Sequence, residues 1–251
     1  MTVTVYVISA VLVFVFSRLL AMAGLGAAFL FVPLFYYLGV PLSEAMPTAL
    51  LLNVVSLLIA TINYWRSGLV NWRVGLPVLI MAVVLAPIGA RTTALVKKSL
   101  LLWMFAAFLF FAGGMMLFYN NRKSSHQISR KIEVFAGMGA GSIAGFLGGL
   151  LGVGGGNFVL PVLNWIGMEP KIAAATTALV VVFSSLSGFL GHIAMSSLSL
   201  LFLVVMAVMA ASGSIVGSYL MKNKVSNQQL KKLIGILLWA IAVKMVFDLI
   251  G

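Results

Sequence analysis

Residues 145–157 read Gly145-Phe-Leu-Gly148-Gly149-Leu-Leu-Gly152-Val-Gly154-Gly155-Gly156-Asn157, and they separate two apolar runs. Because a glycine inside a helix costs about 1 kcal/mol relative to alanine, this stretch predicts a break between two helices. Unwound backbone at membrane depth is tolerated only where it is buried in protein or lines a cavity. A helix that begins near Asn157 would direct its free N–H groups and positive dipole end toward that cavity, and such ends bind anions. The stretch therefore predicts a broken helical hairpin with an anion site at its tip.

The glycines that precede the break have a different predicted role. Four of them recur every four residues on one helical face, a pattern typical of close helix packing in membranes. They are Gly137, Gly141, Gly145 and Gly149. No single face accommodates the glycines between 152 and 156, so these are assigned to the site. A nucleotide-binding loop is excluded, because no Gly-Lys-Ser/Thr follows and no strand pattern precedes.

The composition around this stretch is that of a membrane protein. Of the 251 residues, 63% are hydrophobic and 8% are charged, with a mean hydropathy of +1.17. A soluble domain has about 45–50% apolar and about 25% charged residues. A membrane-spanning helix needs about 20 apolar residues, so the chain has room for eight to ten segments. We therefore predict a multi-pass protein of the cell membrane.

Charge and cysteine content exclude some classes of partner and of chemical site. The net charge of +12 comes from Lys and Arg in short connections between apolar runs, where such residues set topology, so no nucleic-acid partner is expected. The absence of cysteine excludes disulfides and thiolate metal sites. The first apolar run, 3–20, has no Lys or Arg before it, so it is interpreted as a retained helix and not a signal peptide.

The chain contains an internal repeat that relates residues 1–119 to residues 132–251, with the polar linker 120–131 between them. Gly24-Leu-Gly26 recurs as Gly152-Val-Gly154. The later matches follow in the same order and at nearly the same offset: Pro33 with Pro161, Pro41 with Pro170, Ala45-Met-Pro47-Thr48-Ala-Leu with Ala174-Ala-Thr176-Thr177-Ala-Leu, and Ser56 with Ser185.

Each half has five apolar runs, of which the second is short. The runs are 3–20, 24–38, 44–65, 73–95 and 99–119, then 132–151, 155–168, 171–193, 198–220 and 228–250. A helix of about 15 residues is about 22 Å long, less than the bilayer core of about 30 Å. Short segments interrupted by Gly and Pro at matching places in two halves indicate a transport site. The predicted fold is all-α, with each repeat a Gly/Pro-broken helical hairpin plus three transmembrane helices.

Positive charge predicts the orientation. If each hairpin returns to its starting side, three crossings remain per half and the second repeat is inverted. With both termini outside, eleven Lys and Arg residues lie inside and four outside, as the positive-inside rule favours. Ser124 and Gln228 are then cytoplasmic and Met1 is not.

Polar residues within the apolar runs are the remaining candidates. Thr48 and Thr177 occupy equivalent repeat positions, although hydroxyls in membrane helices also bond their own helix. Arg18 lies inside an apolar run, where a charge indicates function unless the side chain reaches the interface. His192 is expected at the membrane interface. The full set of predicted substrate-binding residues is Arg18, Gly24, Gly26, Thr48, Asn53, Gly152, Gly154, Gly155, Gly156, Asn157, Thr176 and Thr177.

The sequence offers no residues for catalysis. The four acidic residues all lie near segment ends, so no buried carboxylate pair is predicted for acid–base chemistry or metal binding. An intramembrane serine protease would have to use Ser142 or Ser187 with His192, and no G-x-S-x-G motif is present. We therefore predict neither an enzyme nor a metal or cofactor site.

The Gly-rich break, Pro161, Pro170 and Ala174-Ala-Thr176-Thr177, present in two copies, resemble the TauE/SafE sulfite-exporter (TSUP) family of anion permeases. The resemblance covers nearly the whole chain. The first copy departs from the pattern at Ala27, Ala28 and Pro47. The resemblance implies that the protein exports sulfite, sulfonates or thiosulfate. A passive anion channel and a membrane assembly subunit without transport activity remain alternatives, and a homo-oligomer is compatible with the sequence.

Overall fold

The computed structural model describes residues 3–23, 26, 28–118, 130–193, 199–220 and 227–250. Within these ranges the chain is helical apart from short connections, and seven helices are long and apolar enough to cross a membrane. The helices are α1 (Val3–Ala23), α2 (Ala28–Tyr37), α3 (Leu42–Arg66), α4 (Trp72–Thr92), α5 (Lys98–Phe118), α6 (Arg130–Leu150), α7 (Gly156–Trp165), α8 (Pro170–Ile193), α9 (Leu200–Leu220) and α10 (Asn227–Ile250). The predicted all-α, multi-pass architecture is confirmed.

The second hairpin, α6–α7, is broken at the glycines. Gly152 and Gly154 have φ of 67° and 66°, which an L side chain rarely adopts. The chain folds back along α6, because Val153 donates its N–H to the carbonyl of Gly148 at 3.0 Å. Gly155 packs on Ala144, in the second half of α6. The ten-residue α7, about 15 Å long, therefore begins within the body of the protein and not at its surface.

Two opposite ends of the bundle can be recognised from local contacts. Asn71 at the start of α4, Glu133 in the first turn of α6 and Glu169 before α8 line one cavity of about 240 Å³, and we call this end the Asn71 face. At the far end of α4 the chain enters α5, where the Lys98 ammonium lies 5.4 Å from the centroid of the Tyr36 ring. We call this end the Tyr36 face.

Each hairpin returns to the end at which it starts. The loop after α7 contributes Gly167 to the cavity that Glu133 of α6 also lines. In the first hairpin, Tyr6 of α1 and Phe35 of α2 both pack on Phe202, with centroid distances of 5.3 and 5.5 Å. The first hairpin thus returns to the Tyr36 face and the second to the Asn71 face. These contacts support the proposal that the two repeats are inverted.

Helices of the two halves pack in exchanged pairs. Helix α1 packs on α9 as α6 packs on α4, while α3 meets α8 and α5 meets α10. A two-fold pseudo-symmetry between 1–119 and 132–251 would produce this exchange, so the packing supports the proposed repeats. The linker 120–131 lies largely outside the described residues, and its boundaries stay a prediction.

The predicted glycine face of α6 packs on the backbone of α4. A Cβ on Gly141 would lie 2.5 Å from the Val78 carbonyl oxygen. Gly145 and Gly149 face the carbonyls of Ala82 and Ala86 in the same way. This interface confirms that the four-residue spacing serves helix contact.

Candidate functional site

A cavity of about 50 Å³ lies where the two hairpin breaks meet. It exceeds the space of about 10–15 Å³ that one water needs, and it is far below the roughly 300–1,000 Å³ of sites for drug-sized ligands. Six predicted residues line it: Gly26, Asn53, Gly154, Gly156, Asn157 and Thr177. The described lining carries no charged side chain. The cavity therefore suits a small solute held by backbone dipoles and neutral polar side chains.

The Asn53 side chain lies at the meeting point of the breaks. It is 1% exposed, and its Nδ2 donates a hydrogen bond to the Ser185 Oγ at 2.9 Å. A Cβ on Gly154 would lie 2.5 Å from the Asn53 Nδ2, and a Cβ on Gly26 would collide with the Asn53 Oδ1. At each break, the residue that approaches the Asn53 amide is therefore a glycine.

Thr177 lines the cavity and carries a buried hydroxyl group. The residue is 7% exposed, and its Oγ1 has no hydrogen-bond partner in the described part of the chain. An unpartnered buried hydroxyl costs about 1–3 kcal/mol, so a ligand that accepts a hydrogen bond from it would remove this cost.

The first turn of α7 reaches the same cavity through Gly156 and Asn157. The first N–H groups of a helix lack intrahelical acceptors and carry the positive end of the helix dipole. The first turn of α7 therefore gives the cavity backbone hydrogen-bond donors on one of its walls.

The structure places three other predicted residues in packing contacts. The Thr176 Oγ1 accepts a hydrogen bond at 3.0 Å from the backbone N–H of Asn71, which ties α8 to the start of α4. Gly155 would place a Cβ 2.6 Å from the Ala144 carbonyl oxygen, and Gly152 would place one against Met46 of α3. None of the three lines the cavity.

The remaining predictions fall apart from the cavity lining. Thr48 is fully buried and its Oγ1 has no partner within the described residues, yet it does not line the cavity. The Arg18 side chain is exposed on α1, whose backbone here packs against Gly217 of α9. Gly24 lies outside the described residues. The lining comes mainly from the second repeat, where the glycine break is complete.

Two features were missed at the sequence level. Ala174, Ala178 and Val181 also line the cavity, and their three- and four-residue spacing with Thr177 would have identified this face of α8. His192, expected at the interface, is 6% exposed, and its Nε2 lies 2.8 Å from the Gly149 carbonyl oxygen. The end of α8 packs on the glycine face of α6, and this contact draws the imidazole into the protein.

Comparison with known proteins adds to this geometry. The family model described as Sulfite exporter TauE/SafE matches residues 9–245. The chain belongs to the TauE/SafE family. It is similar to the probable membrane transporter protein YunE of Bacillus subtilis, with 23% identity over 97% of this chain and 98% of that protein. A probable membrane transporter of Methanocaldococcus jannaschii is 24% identical over 72% of this chain and 69% of its own length.

A shorter match joins this TauE/SafE protein to a plant relative. The Arabidopsis thaliana Sulfite exporter TauE/SafE family protein 1 is 51% identical over 43 residues, which are 17% of this chain and 10% of that protein. No solved structure matches the chain. Family and relatives identify a multi-pass membrane transporter and not an enzyme, in agreement with the sequence prediction.

Proposed function

We propose that this TauE/SafE protein exports small sulfur-containing anions, such as sulfite, sulfonates or thiosulfate. The anion is held in the cavity where the hairpin breaks meet. The observation that carries the proposal is that Thr177, whose buried Oγ1 has no partner among the described residues, lines the same small cavity as the first turn of α7. Membership of the sulfite exporter TauE/SafE family supports the substrate class.

Each part of the cavity has a role in this proposal. The Thr177 hydroxyl and the first N–H groups of α7 donate hydrogen bonds to the anion oxygens. Gly154 and Gly156 carry no side chain, so the anion can approach the backbone closely. Small volume excludes bulky organic anions, and the lack of a charged side chain in the described lining keeps binding weak enough for release.

Membrane potential supplies the driving force in this mechanism. A cell interior that is negative favours outward movement of an anion by about 2.3 kcal/mol per charge per 100 mV. Since about 1.4 kcal/mol is a factor of ten, this sustains a roughly fiftyfold gradient for a monovalent anion. Export then needs no co-transported cation.

The test is flux into proteoliposomes that contain the purified protein. Sulfite, thiosulfate, a small sulfonate, sulfate and chloride are compared at equal concentration, with thermal stabilisation by each anion measured in parallel. We expect saturable flux and stabilisation with sulfur anions, and in Thr177→Val we expect both to require about tenfold more anion. Flux that rises without saturation would identify a passive channel, and a complete absence of flux with every anion would indicate a subunit without transport activity.

A further inference from the structure

On α3, α7 and α8 the cavity lining extends from the breaks toward the Asn71 face, whereas on α2 it reaches one turn toward the Tyr36 face, to Phe29. On α3 its lining continues from Asn53 to Leu57, on α7 from Asn157 to Leu160, and on α8 from Val181 back to Ala174. Each step runs toward the Asn71 face. In the other direction, the lining of the described α3 and α8 ends at Asn53 and Val181.

A polar bridge lies at the closed end of the cavity. Ser185 follows Val181 by one turn of α8, is fully buried, and accepts the hydrogen bond from the Asn53 Nδ2 at 2.9 Å. Nearer the Tyr36 face, Leu50, Phe189 and Leu203 form a buried apolar cluster between α3, α8 and α9. The bridge is therefore the first layer between the cavity and the Tyr36 face, and the apolar cluster is the second.

We propose that Ser185 is a positioning residue that holds the Asn53 amide across α3 and α8 and so closes the cavity toward the Tyr36 face. The Asn53–Ser185 bridge is then the inner layer of the gate on this side, and its loss lowers the free energy needed to open the gate. The inference rests on the proposed transport function for its purpose, but the closure itself is a property of the free protein.

The repeat counterpart of the bridge supports this role. At the offset that relates Ser56 to Ser185, Asn53 corresponds to Val182, so the counterpart pair is Val182 with Ser56. Valine has no donor, and the Ser56 Oγ has no hydrogen-bond partner within the described residues. Both residues lie nearer the Asn71 face than the bridge does. On α3 and α8 the cavity lining extends on the side where the bridge is missing.

A labelling experiment tests the gate without any substrate. The natural chain has no cysteine, so Ala178→Cys places a single thiol in the cavity lining. Reference cysteines at Lys97 and Arg73, both exposed, report access from the Tyr36 and Asn71 faces. A membrane-impermeant maleimide is added from the Tyr36 face to vesicles of known orientation, and the rate of labelling is measured.

The matched control is Ser184→Ala, because the Ser184 Oγ donates to the Val181 carbonyl of its own helix at 3.3 Å and takes no part in the bridge. We expect Ser185→Ala to raise the rate of labelling from the Tyr36 face by about threefold to tenfold, the range that loss of one hydrogen bond produces. Ser184→Ala should leave the labelling rate unchanged. Ser185→Thr keeps the hydroxyl, so its labelling rate should be as low as that of the protein with Ser185. Melting temperatures of all variants are also compared, and labelling is repeated from the Asn71 face. General loosening of the protein would lower the melting temperature and raise the labelling rate from both faces.

Equal labelling rates in Ser185→Ala and Ser184→Ala would overturn the gate. So would an increase in Ser185→Ala that Ser185→Thr fails to reverse. Since no anion is present, either result leaves the proposed substrate class to be decided by the flux measurements.

Discussion

Gly26 and Gly154 contact the two ends of one side-chain amide, that of Asn53. A Cβ on the first would meet the amide oxygen, and a Cβ on the second would lie 2.5 Å from the nitrogen. The two glycines occupy equivalent positions in the two proposed repeats. Their convergence on Asn53 joins both hairpin breaks at a single buried residue, so a substitution at either glycine must move the amide.

Gly154→Ala should reduce transport at least about tenfold while the protein still inserts and folds. The added Cβ displaces the Asn53 amide, and a φ of 66° costs an L residue about 1–2 kcal/mol. The control is Gly139→Ala on α6, where a Cβ would have no neighbour within 4 Å. Flux per folded molecule in proteoliposomes is the measurement, and normal flux in Gly154→Ala would place the anion elsewhere.

Substitutions of the adjacent threonines Thr176 and Thr177 should have separate effects on anion binding and on protein stability. Thr177→Val removes the unpartnered buried hydroxyl, so we expect the anion KM to rise about tenfold while the melting temperature stays the same or rises. Thr176→Val removes the acceptor for the Asn71 N–H, so we expect a loss of about 1 kcal/mol of stability with an unchanged KM.

Both threonine variants are compared by concentration-dependent flux and by thermal unfolding in detergent. The reverse pattern, in which Thr176→Val raises the KM and Thr177→Val does not, would move the site to the junction of α8 and α4.

Gly145→Leu should prevent recovery of monodisperse protein, because the side chain would collide with the Ala82 backbone of α4. Gly139→Leu on the same helix should be tolerated, since that position is exposed. Size-exclusion profiles after extraction measure the difference. Equal profiles for the two variants would show that α6 can move away from α4 without loss of the fold.

His192→Gln tests the role of the buried imidazole in coupling. Because the His192 Nε2 contacts the Gly149 backbone and the residue does not line the cavity, we expect glutamine to preserve transport that follows the membrane potential. Flux is measured at clamped voltage with the pH varied on one side. Wild-type flux that tracks the proton gradient and is lost in His192→Gln would establish proton coupling through this residue.

Cysteines at Arg73 and Lys97 should react from opposite sides of the membrane. The charge distribution predicts that Arg73 is cytoplasmic and Lys97 external, in line with the Asn71 and Tyr36 faces. Labelling of intact cells with an impermeant thiol reagent should modify Lys97→Cys and spare Arg73→Cys. Modification of both from outside would contradict the positions of the two faces.

The helices were predictable from sequence because apolar runs, and the polar, Gly and Pro residues that separate them, determine membrane segments directly. The run 44–65 becomes α3 at Leu42–Arg66, and the short run 155–168 becomes the ten-residue α7. The site was predictable in part. Gly154, Gly156 and Thr177 line the cavity as expected, whereas Thr176 faces α4, because neighbouring residues on a helix point in directions about 100° apart.

Other features depend on tertiary contacts that no local pattern records. The Asn53–Ser185 hydrogen bond joins residues 132 positions apart, and nothing in either segment marks the other. Likewise the burial of His192 follows from the docking of α8 on α6, while its sequence neighbourhood, at the end of an apolar run, is that of an interface residue.

Exchange of helices between the halves has a consequence for assembly. Helix α6 packs on α4 and α1 packs on α9, so the most extensive helix contacts of each half are made with the other half. Neither half can bury these surfaces alone. The halves are interlocked and not separate folding units. A chain cut within 120–131 should yield two fragments that are degraded when made singly and that reassemble when made together, so biogenesis is completed only after the last helices leave the ribosome.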